Sequence, residues 1–185
     1  MDSSVKVITT DLPEVLLLEP KIHEDARGLT YESYNQRVFR QATGVDIQFV
    51  QENRSRSARH TIRGLHYQLG HAQGKLIGVL SGELFDVAID FRKSSPSFGK
   101  WAGFRLTGRE HRYAWIPAGF GHGFLALSEG VEVVYKLTDF WDPAHERVIR
   151  WDDPDIAIKW PFQGQPLLSQ RDAAAPYLKD AEVFP

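Results

Sequence analysis

Residues 82–91 (GELFDVAIDF) alternate between two sets of side chains, and this alternation constrains the fold more than any other feature of the sequence. One set contains Phe85, Val87, Ile89 and Phe91, and the other contains Leu84, Asp86, Ala88 and Asp90. A period of two is that of a β-strand, whose successive side chains point to opposite faces. The sequence therefore predicts a strand here, with one face in the core.

Short apolar and aromatic runs, separated by Gly, Pro or Ser, continue through residues 48–151. Residues 101–106, 113–116 and 131–137 are predicted strands, and the SSPSFG segment before the first of them has the composition of a turn. Many short strands with turn signals between them are typical of an antiparallel barrel or sandwich. Without repeats or a polar linker, we expect one domain spanning residues 1–185.

Two short helices are expected beside the strands. The first covers residues 34–43 and ends at Gly44, a residue that commonly terminates helices. The second lies near residues 172–175, within a C-terminal stretch that is otherwise predicted to be loop.

The composition excludes several classes of function. The sequence has no cysteine, which rules out disulfides, thiolate zinc sites and cysteine nucleophiles. The net charge of −2, with acids and bases well mixed, provides no basic surface for a nucleic acid. The apolar run at residues 15–18 is too short to cross a membrane and no basic segment precedes it. We therefore expect a cytoplasmic protein that binds neither nucleic acid nor membrane.

Two segments each place a histidine on a predicted strand, namely His66 in RGLHYQ and His122 in PAGFGHGF. Two such histidines in a β-barrel indicate a cupin. Metal-binding cupins use a His-x-His pair, a glutamate and a Pro-x-Gly-x-x-His segment as ligands. Here Gln68 replaces the second histidine of the pair, and Lys75 lies near the position of the glutamate. Because an ammonium group repels a cation, the sequence predicts no metal.

An unligated histidine that faces a barrel interior titrates near neutral pH, so His66 is a candidate general base, although an ordinary packed histidine is the alternative. Arg63 and Lys75 flank it and are candidates to stabilise an enolate or bind a diphosphate, unless they are solvated charges at the rim. Strict alternation places Arg63 on the face opposite His66. Arg63 therefore joins the site only if Gly64 introduces a bulge.

Two aromatic residues have a functional and a structural interpretation. Because a phenol is ordinarily protonated at neutral pH, Tyr135 is a candidate acid opposite the base, and a half-buried strand tyrosine is the alternative. An exposed Trp141 offers a flat surface for a nucleobase, whereas core or interface packing is the usual role of tryptophan. The residues alone leave both questions open.

The sequence resembles the dTDP-4-dehydrorhamnose 3,5-epimerase family over nearly its whole length. The resemblance is carried by FVQEN at 49–53, RGLHYQ at 63–68, QGKL at 73–76, GELFDV at 82–87, SPSFG at 95–99, IPAGFGHGF at 116–124 and WDDP at 151–154. It implies a mainly β fold, a cupin-type jelly roll (double-stranded β-helix), with short helices near the N- and C-terminal parts. It also implies a homodimer in which N-terminal strands pair with the partner's sheet.

The resemblance assigns roles to individual residues. It implies that His66 is the catalytic base, Asp172 its orienting carboxylate and Tyr135 the general acid, with Lys75 beside the ketone oxygen of the substrate. Trp141 takes the position that stacks on the base. Further nucleotide and diphosphate contacts fall on Arg27, Glu32, Gln51, Glu52, Asn53, Arg63, His122, Glu146 and Arg171.

The implied reaction inverts C3 and C5 of dTDP-4-keto-6-deoxyglucose, giving dTDP-4-keto-L-rhamnose. Both hydrogens lie alpha to the C4 ketone, so removal of either leaves an enolate that fixed positive charge stabilises. Because the ketone is already present, we expect neither NAD nor another cofactor, and the chain has no GxGxxG phosphate loop. Three alternatives stay open: a C3-only or C5-only mono-epimerase of antibiotic deoxysugar synthesis, a cupin that binds a nucleotide sugar without catalysis, and a metal-dependent cupin oxygenase.

Overall fold

The computed structural model describes residues 5–185, and within that range the chain is built mainly of β-strands. The strands are β1 (Val5–Thr9), β2 (Leu16–Pro20), β3 (Ile22–Asp25), β4 (Gly28–Tyr31), β5 (Gln51–Ser57), β6 (Ile62–Gln68), β7 (Lys75–Ser81), β8 (Glu83–Asp90), β9 (Trp101–Thr107), β10 (Tyr113–Ile116), β11 (Phe120–Ala126), β12 (Val131–Leu137) and β13 (Glu146–Val148). The helices are α1 (Gln36–Thr43), α2 (Gln170–Ala173) and a 3₁₀ helix at Leu178–Asp180. No helix of residues 5–185 has the length and apolar character needed to span a bilayer.

Two antiparallel sheets form the body of the fold. The six-stranded sheet has the order β1-β2-β10-β7-β12-β5, and the five-stranded sheet has the order β13-β6-β11-β8-β9. Strands β3 and β4 pair with each other, as a hairpin that follows β2, and with no other strand of the described residues. This arrangement confirms the predicted mainly β jelly roll with short helices near the N- and C-terminal parts.

The main core lies between the two sheets. Ile77 and Val133 from the six-stranded sheet pack into the same cluster as Leu84, Ala88 and Phe124 from the five-stranded sheet. Each of these side chains is at most 4% exposed. The sheets are therefore held face to face by apolar burial, which is the largest favourable contribution to folding.

Strand β8 is buried on both faces, so the prediction of a single core face was wrong. Its second face carries Val87 and Ile89, which are fully buried. They pack against Ile156 and Val183 from the C-terminal part of the chain, which crosses the outer face of the five-stranded sheet. Alternation predicts which residues share a face but not whether a distant segment covers it.

The predicted turn before β9 is organised by Asp90 at the end of β8. Its buried carboxylate accepts hydrogen bonds from the hydroxyls of Ser95 (2.5 Å) and Ser97 (2.7 Å) and from the guanidinium of Arg92 (2.8 Å). Burial raises the pKa of Asp90, but these hydrogen bonds outweigh it and hold the pKa far below its usual range. The ionised carboxylate therefore fixes the connection between β8 and β9.

Helix α1 confirms the predicted N-terminal helix and begins two residues later than expected. Asn35 caps its start, and Gly44 ends it in the left-handed conformation with φ of 73°. The buried Phe39 makes edge-to-face contacts with Phe49 and Trp115. The second helix, α2, lies near the predicted position, and its four residues include Asp172.

Candidate active site

A cavity of about 470 Å³ opens among strands of both sheets. Strands β5, β7 and β12 of one sheet and β6, β11 and β13 of the other contribute to its wall. Its lining consists of Gln51, Asn53, Ser55, Arg63, His66, Tyr67, Gln73, Lys75, His122, Phe124, Val133, Tyr135, Leu137, Trp141 and Glu146. The cavity is therefore polar along several strands and is large enough for a ligand of drug size.

His66 on β6 forms a hydrogen-bonded pair with Asp172 of α2. The distance between His66 Nε2 and Asp172 Oδ1 is 2.7 Å, and the carboxylate side chain is 4% exposed. Burial raises the pKa of Asp172, but its hydrogen bonds with His66 and Ser169 and the charge of His66 leave that pKa below the usual value. The ionised Asp172 accepts a hydrogen bond from the N–H at Nε2. The other ring nitrogen, Nδ1, is then free to accept a proton.

A bulge at Gly64 brings Arg63 into the cavity that His66 lines. In the pairing of β6 with β11, His66 lies opposite His122, but Arg63 lies opposite Phe124, so β6 contains one extra residue. Gly64 has φ of 121°, and a side chain on it would meet the backbone of β11 at 2.6 Å. The bulge at Gly64 that Arg63 needed in order to join the site is therefore present.

Tyr135 lies on the opposite wall of the cavity, because β12 belongs to the six-stranded sheet and β6 to the five-stranded sheet. The side-chain amide of Asn53 donates a hydrogen bond to its phenol oxygen at 3.5 Å. Since the oxygen is the acceptor in this contact, the phenol proton is free to be donated elsewhere. A histidine and a tyrosine thus face the same space from two sides.

Lys75 lies beside Tyr135 on the inner face of the six-stranded sheet, since it pairs with Leu137 across β7 and β12. It is 7% exposed, and no hydrogen bond or ion pair to its ammonium group is found within residues 5–185. Burial lowers the pKa of Lys75 to about 8, although the charge of Glu146 acts in the opposite direction. Lys75 is therefore a buried cation without a fixed partner in the described part of the chain.

Trp141 lies at the edge of the cavity and is 53% exposed. Its indole Nε1 donates to Glu146 Oε2 at 3.0 Å, and the guanidinium of Arg171 pairs with the same oxygen. Burial raises the pKa of Glu146, but the hydrogen bonds from Arg171 and Trp141 outweigh it and lower that pKa. The ionised Glu146 therefore holds the indole and the guanidinium together at the rim.

Three predicted contact residues do not line this cavity. Alternation along β5 turns Glu52 to the outer face of the sheet, where it pairs with Lys136. Arg27 lies between β3 and β4 and pairs with Asp25, with 90% of its side chain exposed. Glu32 follows the same hairpin and is exposed. The other predicted contacts line the cavity, except Arg171, which binds Glu146 at its rim.

Asp86 and Ser55 are among the polar residues of the site that were not predicted. Asp86 is fully buried on β8, and its two carboxylate oxygens lie 3.1 and 3.0 Å from His122 Nε2. The hydroxyl of Ser55 is buried at the cavity wall, with no hydrogen-bond partner among the described residues. The sequence did contain a signal for Asp86, since it shares a strand face with the apolar Leu84 and Ala88. Aspartates are rarely fully buried unless they are paired, so a partner for Asp86 was to be expected. No comparable signal marked Ser55.

The described residues, 5–185, contain no cluster of three or more His, Asp or Glu side chains suited to a metal ion. His66 and His122 are instead each paired with one aspartate. In each of the two histidines, Nε2 therefore contacts a carboxylate oxygen.

Comparisons with known proteins connect the chain to one family. The family model described as dTDP-4-dehydrorhamnose 3,5-epimerase matches residues 9–180. A relative of that name from Pseudomonas aeruginosa is 52% identical over 181 residues, which are 98% of this chain and 100% of the relative. Another from Salmonella typhimurium is 51% identical over 176 residues, covering 95% of this chain and 96% of that relative.

Solved structures have the same fold. The crystal structure of RmlC, a dTDP-6-deoxy-D-glucose-3,5-epimerase from Legionella pneumophila, in complex with dTDP-4-keto-L-rhamnose, matches with a TM-score of 0.94 and 46% identity over 96% of this chain and 95% of that chain. The 3′-monoepimerase ChmJ from Streptomyces bikiniensis, in complex with dTDP-quinovose, has a TM-score of 0.87 and 35% identity over 92% of this chain and 87% of that chain. With about half of its residues identical to curated relatives over nearly its whole length, the chain belongs to the dTDP-4-dehydrorhamnose 3,5-epimerase family.

Proposed function

We propose that the chain converts dTDP-4-keto-6-deoxyglucose to dTDP-4-keto-L-rhamnose by inverting C3 and C5. The observation that carries this proposal is the pairing of His66 with Asp172 on one wall of the cavity and Tyr135 on the other. The shared family and the keto sugar bound by the Legionella structure also support it.

In the proposed reaction, His66 Nδ1 takes the proton from C3 or C5, and the electron pair of that C–H bond moves into an enolate on the C4 oxygen. Asp172 keeps the opposite ring nitrogen protonated and stabilises the imidazolium that forms. The ammonium of Lys75 stabilises the enolate oxygen, because the charge is buried and a buried charge is less screened by water. Among the residues of β7, Lys75 is the one with a positively charged side chain.

Inversion requires that the new proton arrive on the face opposite the one that lost it. Tyr135 suits this step, since its phenol oxygen accepts a hydrogen bond from Asn53 and its proton is available for donation. The enolate collapses to the ketone as its carbon takes this proton, and no electrons are exchanged with a cofactor. The phenolate and the imidazolium return to their starting states through solvent.

The remaining polar residues suit a nucleoside diphosphate. Arg63 and His122 offer cationic or hydrogen-bonding groups for the diphosphate, and the exposed ring of Trp141 offers a stacking surface for thymine. Glu146, Arg171, Gln51 and Asn53 complete the proposed contacts. Their hydrogen bonds to one another fix the shape of the rim before a ligand binds.

We propose further that the enzyme is a homodimer in which each subunit supplies Arg27 and Glu32 to the cavity of its partner. Glu52 then lies near the interface between the subunits. The hairpin that holds Arg27 is exposed along both strands and carries the exposed apolar residues Ile22 and Leu29. In addition, β1 lies at an edge of the six-stranded sheet, where a further strand can pair.

A proton-exchange assay tests the proposed function. In D₂O the protein is expected to incorporate deuterium at both C3 and C5 of the keto sugar, and proton NMR of the product should show the L-rhamno configuration. Reactions without protein provide the background rate of exchange. Exchange and inversion at one carbon only would identify a mono-epimerase, as ChmJ is. Tight binding of dTDP with no exchange would identify a binding protein.

Mixing two inactive variants tests the dimer. If Arg27 enters the partner's cavity, Arg27→Ala and His66→Ala subunits are expected to form a heterodimer with one intact site, because both lesions then fall in the other site. After unfolding and refolding together, an equal mixture should recover about a quarter of wild-type activity. Each variant refolded alone is the control. A mixture no more active than the Arg27→Ala protein at half concentration would mean that Arg27 does not act across the interface.

A further inference from the structure

Gln68 is buried at the end of β6 and uses its side-chain amide to bind backbone groups of nearby loops. Its Nε2 donates to the carbonyl oxygens of His71 (2.6 Å) and Phe140 (3.0 Å), and its Oε1 accepts the N–H of Asp142 (2.8 Å). Both amide hydrogens are thus in use, and the side chain is 2% exposed. At the position where metal-binding cupins carry a ligand, this chain has a residue that holds the loop between β12 and β13.

Two further glutamines bind the same loop from other directions. Gln73, just before β7, donates to the carbonyl oxygen of Asp139 at 2.9 Å, and Gln51 of β5 accepts the N–H of Trp141 at 2.9 Å. Together with Gln68, these side chains bind the backbone of residues 139–142 without interruption. Because β5 and β6 belong to different sheets, the loop is tied to both of them.

Packing contributes little to the position of this loop. Phe140 is 64% exposed and Trp141 is 53% exposed, so neither ring is held by a surrounding core. The indole of Trp141 has its hydrogen bond to Glu146, which restricts the ring but not the backbone. The three glutamines therefore fix the backbone of residues 139–142 by side-chain hydrogen bonds, while Glu146 fixes the indole ring.

We propose that Gln68, assisted by Gln51 and Gln73, is a positioning residue that holds Trp141 as a preformed stacking surface for the nucleobase. This role rests on the proposed function, which makes Trp141 the partner of the base. A ligand that stacks on a ring already in place does not have to order the loop, and such preorganisation increases affinity. Loss of the glutamine contacts should thus weaken binding of the nucleoside part of the ligand and leave the diphosphate contacts unaffected.

The replacement Gln68→Met tests this role, because it keeps the length of the side chain and removes all three hydrogen bonds. We expect the Kd for dTDP to rise about tenfold, because the loss of base stacking on an aromatic ring changes Kd by about that factor. The Kd for pyrophosphate, measured by competition, should stay at its wild-type value. For the keto sugar, KM should rise while kcat at saturation is retained. The exposed Gln163→Met is the matched control and should change none of these quantities.

A double-mutant cycle separates positioning from general damage to the fold. In a Trp141→Ala background, Gln68→Met is expected to cause no further loss of dTDP affinity, because the two changes remove the same interaction. Full additivity, or an equal loss of pyrophosphate binding, would overturn the inference. If Gln68→Met does not fold, Gln73→Met takes its place, because it removes a single hydrogen bond to the loop. It should raise the Kd for dTDP about threefold when Trp141 is present and should have no effect in the Trp141→Ala background.

The cycle also distinguishes a failure of this inference from a failure of the proposed function. If Trp141→Ala leaves the dTDP Kd unchanged, the stacking role itself is wrong, and the positioning role fails with it. If Trp141→Ala weakens dTDP binding and Gln68→Met does not, the stacking role stands and the positioning role alone is contradicted.

Discussion

Replacing His66 with alanine is expected to abolish deuterium incorporation at both C3 and C5 of the keto sugar. A positioned general base contributes about 10²- to 10⁴-fold to the rate of proton transfer, and within the described cavity only His66 combines an imidazole with an ionised aspartate at 2.7 Å and a position opposite Tyr135. The measurement is exchange at each carbon by NMR, together with the Kd for dTDP. That Kd should change little, because the proposed nucleotide contacts of the cavity rim are retained.

A companion variant tests how Asp172 acts. In Asp172→Asn, the amide can donate a hydrogen bond to Nε2, which favours the tautomer with the proton on Nδ1 and removes the base. The loss of exchange should then approach that of His66→Ala. His60→Ala is a control for the loss of an imidazole, since His60 contacts the ring of Phe162 and does not line the cavity. Undiminished exchange in His66→Ala would overturn the assignment of the base.

Replacing Lys75 with methionine is expected to make the protein more stable and much less active. Burial lowers the pKa of Lys75 from 10.5 to about 8, so the folded state holds the charged form less favourably than the unfolded state does. At pH 7 this difference destabilises the fold by up to about 3 kcal/mol. Methionine fills a similar volume without a charge. Exchange should fall about 10²- to 10³-fold, because the enolate loses its fixed positive charge.

The pH dependence gives this prediction a second readout. For a lysine with a lowered pKa, destabilisation is complete below pH 8 and disappears as the pH rises through the unfolded value of 10.5. Urea unfolding should therefore show a large advantage of Lys75→Met at pH 7 that narrows towards pH 10. The exposed Lys159→Met serves as the control for loss of a positive charge. A Lys75→Met protein that is less stable than wild type at pH 7, or fully active, would contradict this account.

The sequence predicted those parts of the fold that depend on neighbouring residues. Alternation located β8, and Gly44 marked the end of α1, because strand and helix periods and terminating residues act over a few positions. The burial of both faces of β8 was not predictable in this way. It depends on Ile156 and Val183, whose contact with the strand is set by the path of the whole chain.

The candidate site likewise contains residues that could be predicted from their segments and residues that could not. His66, Lys75 and Tyr135 were predicted from their segments and from resemblance, and all three line one cavity. Ser55 was missed because a serine in a polar strand carries no sign that its hydroxyl lacks a partner. Arg27 was predicted as a contact, but it lies away from the cavity of its own chain, and a single sequence does not indicate which subunit a residue serves.

The pairing of His66 with Asp172 joins residues 106 positions apart in the chain. During synthesis on the ribosome, both sheets and nearly the whole cavity wall are made before the carboxylate that orients the imidazole. A nascent chain that stops at Leu168 has the strands but lacks α2, and its histidine has no anion behind it. The proposed proton transfer therefore becomes possible only after all the strands described here have been made, and a chain that stops before Asp172 is expected to contain those strands without catalysing exchange.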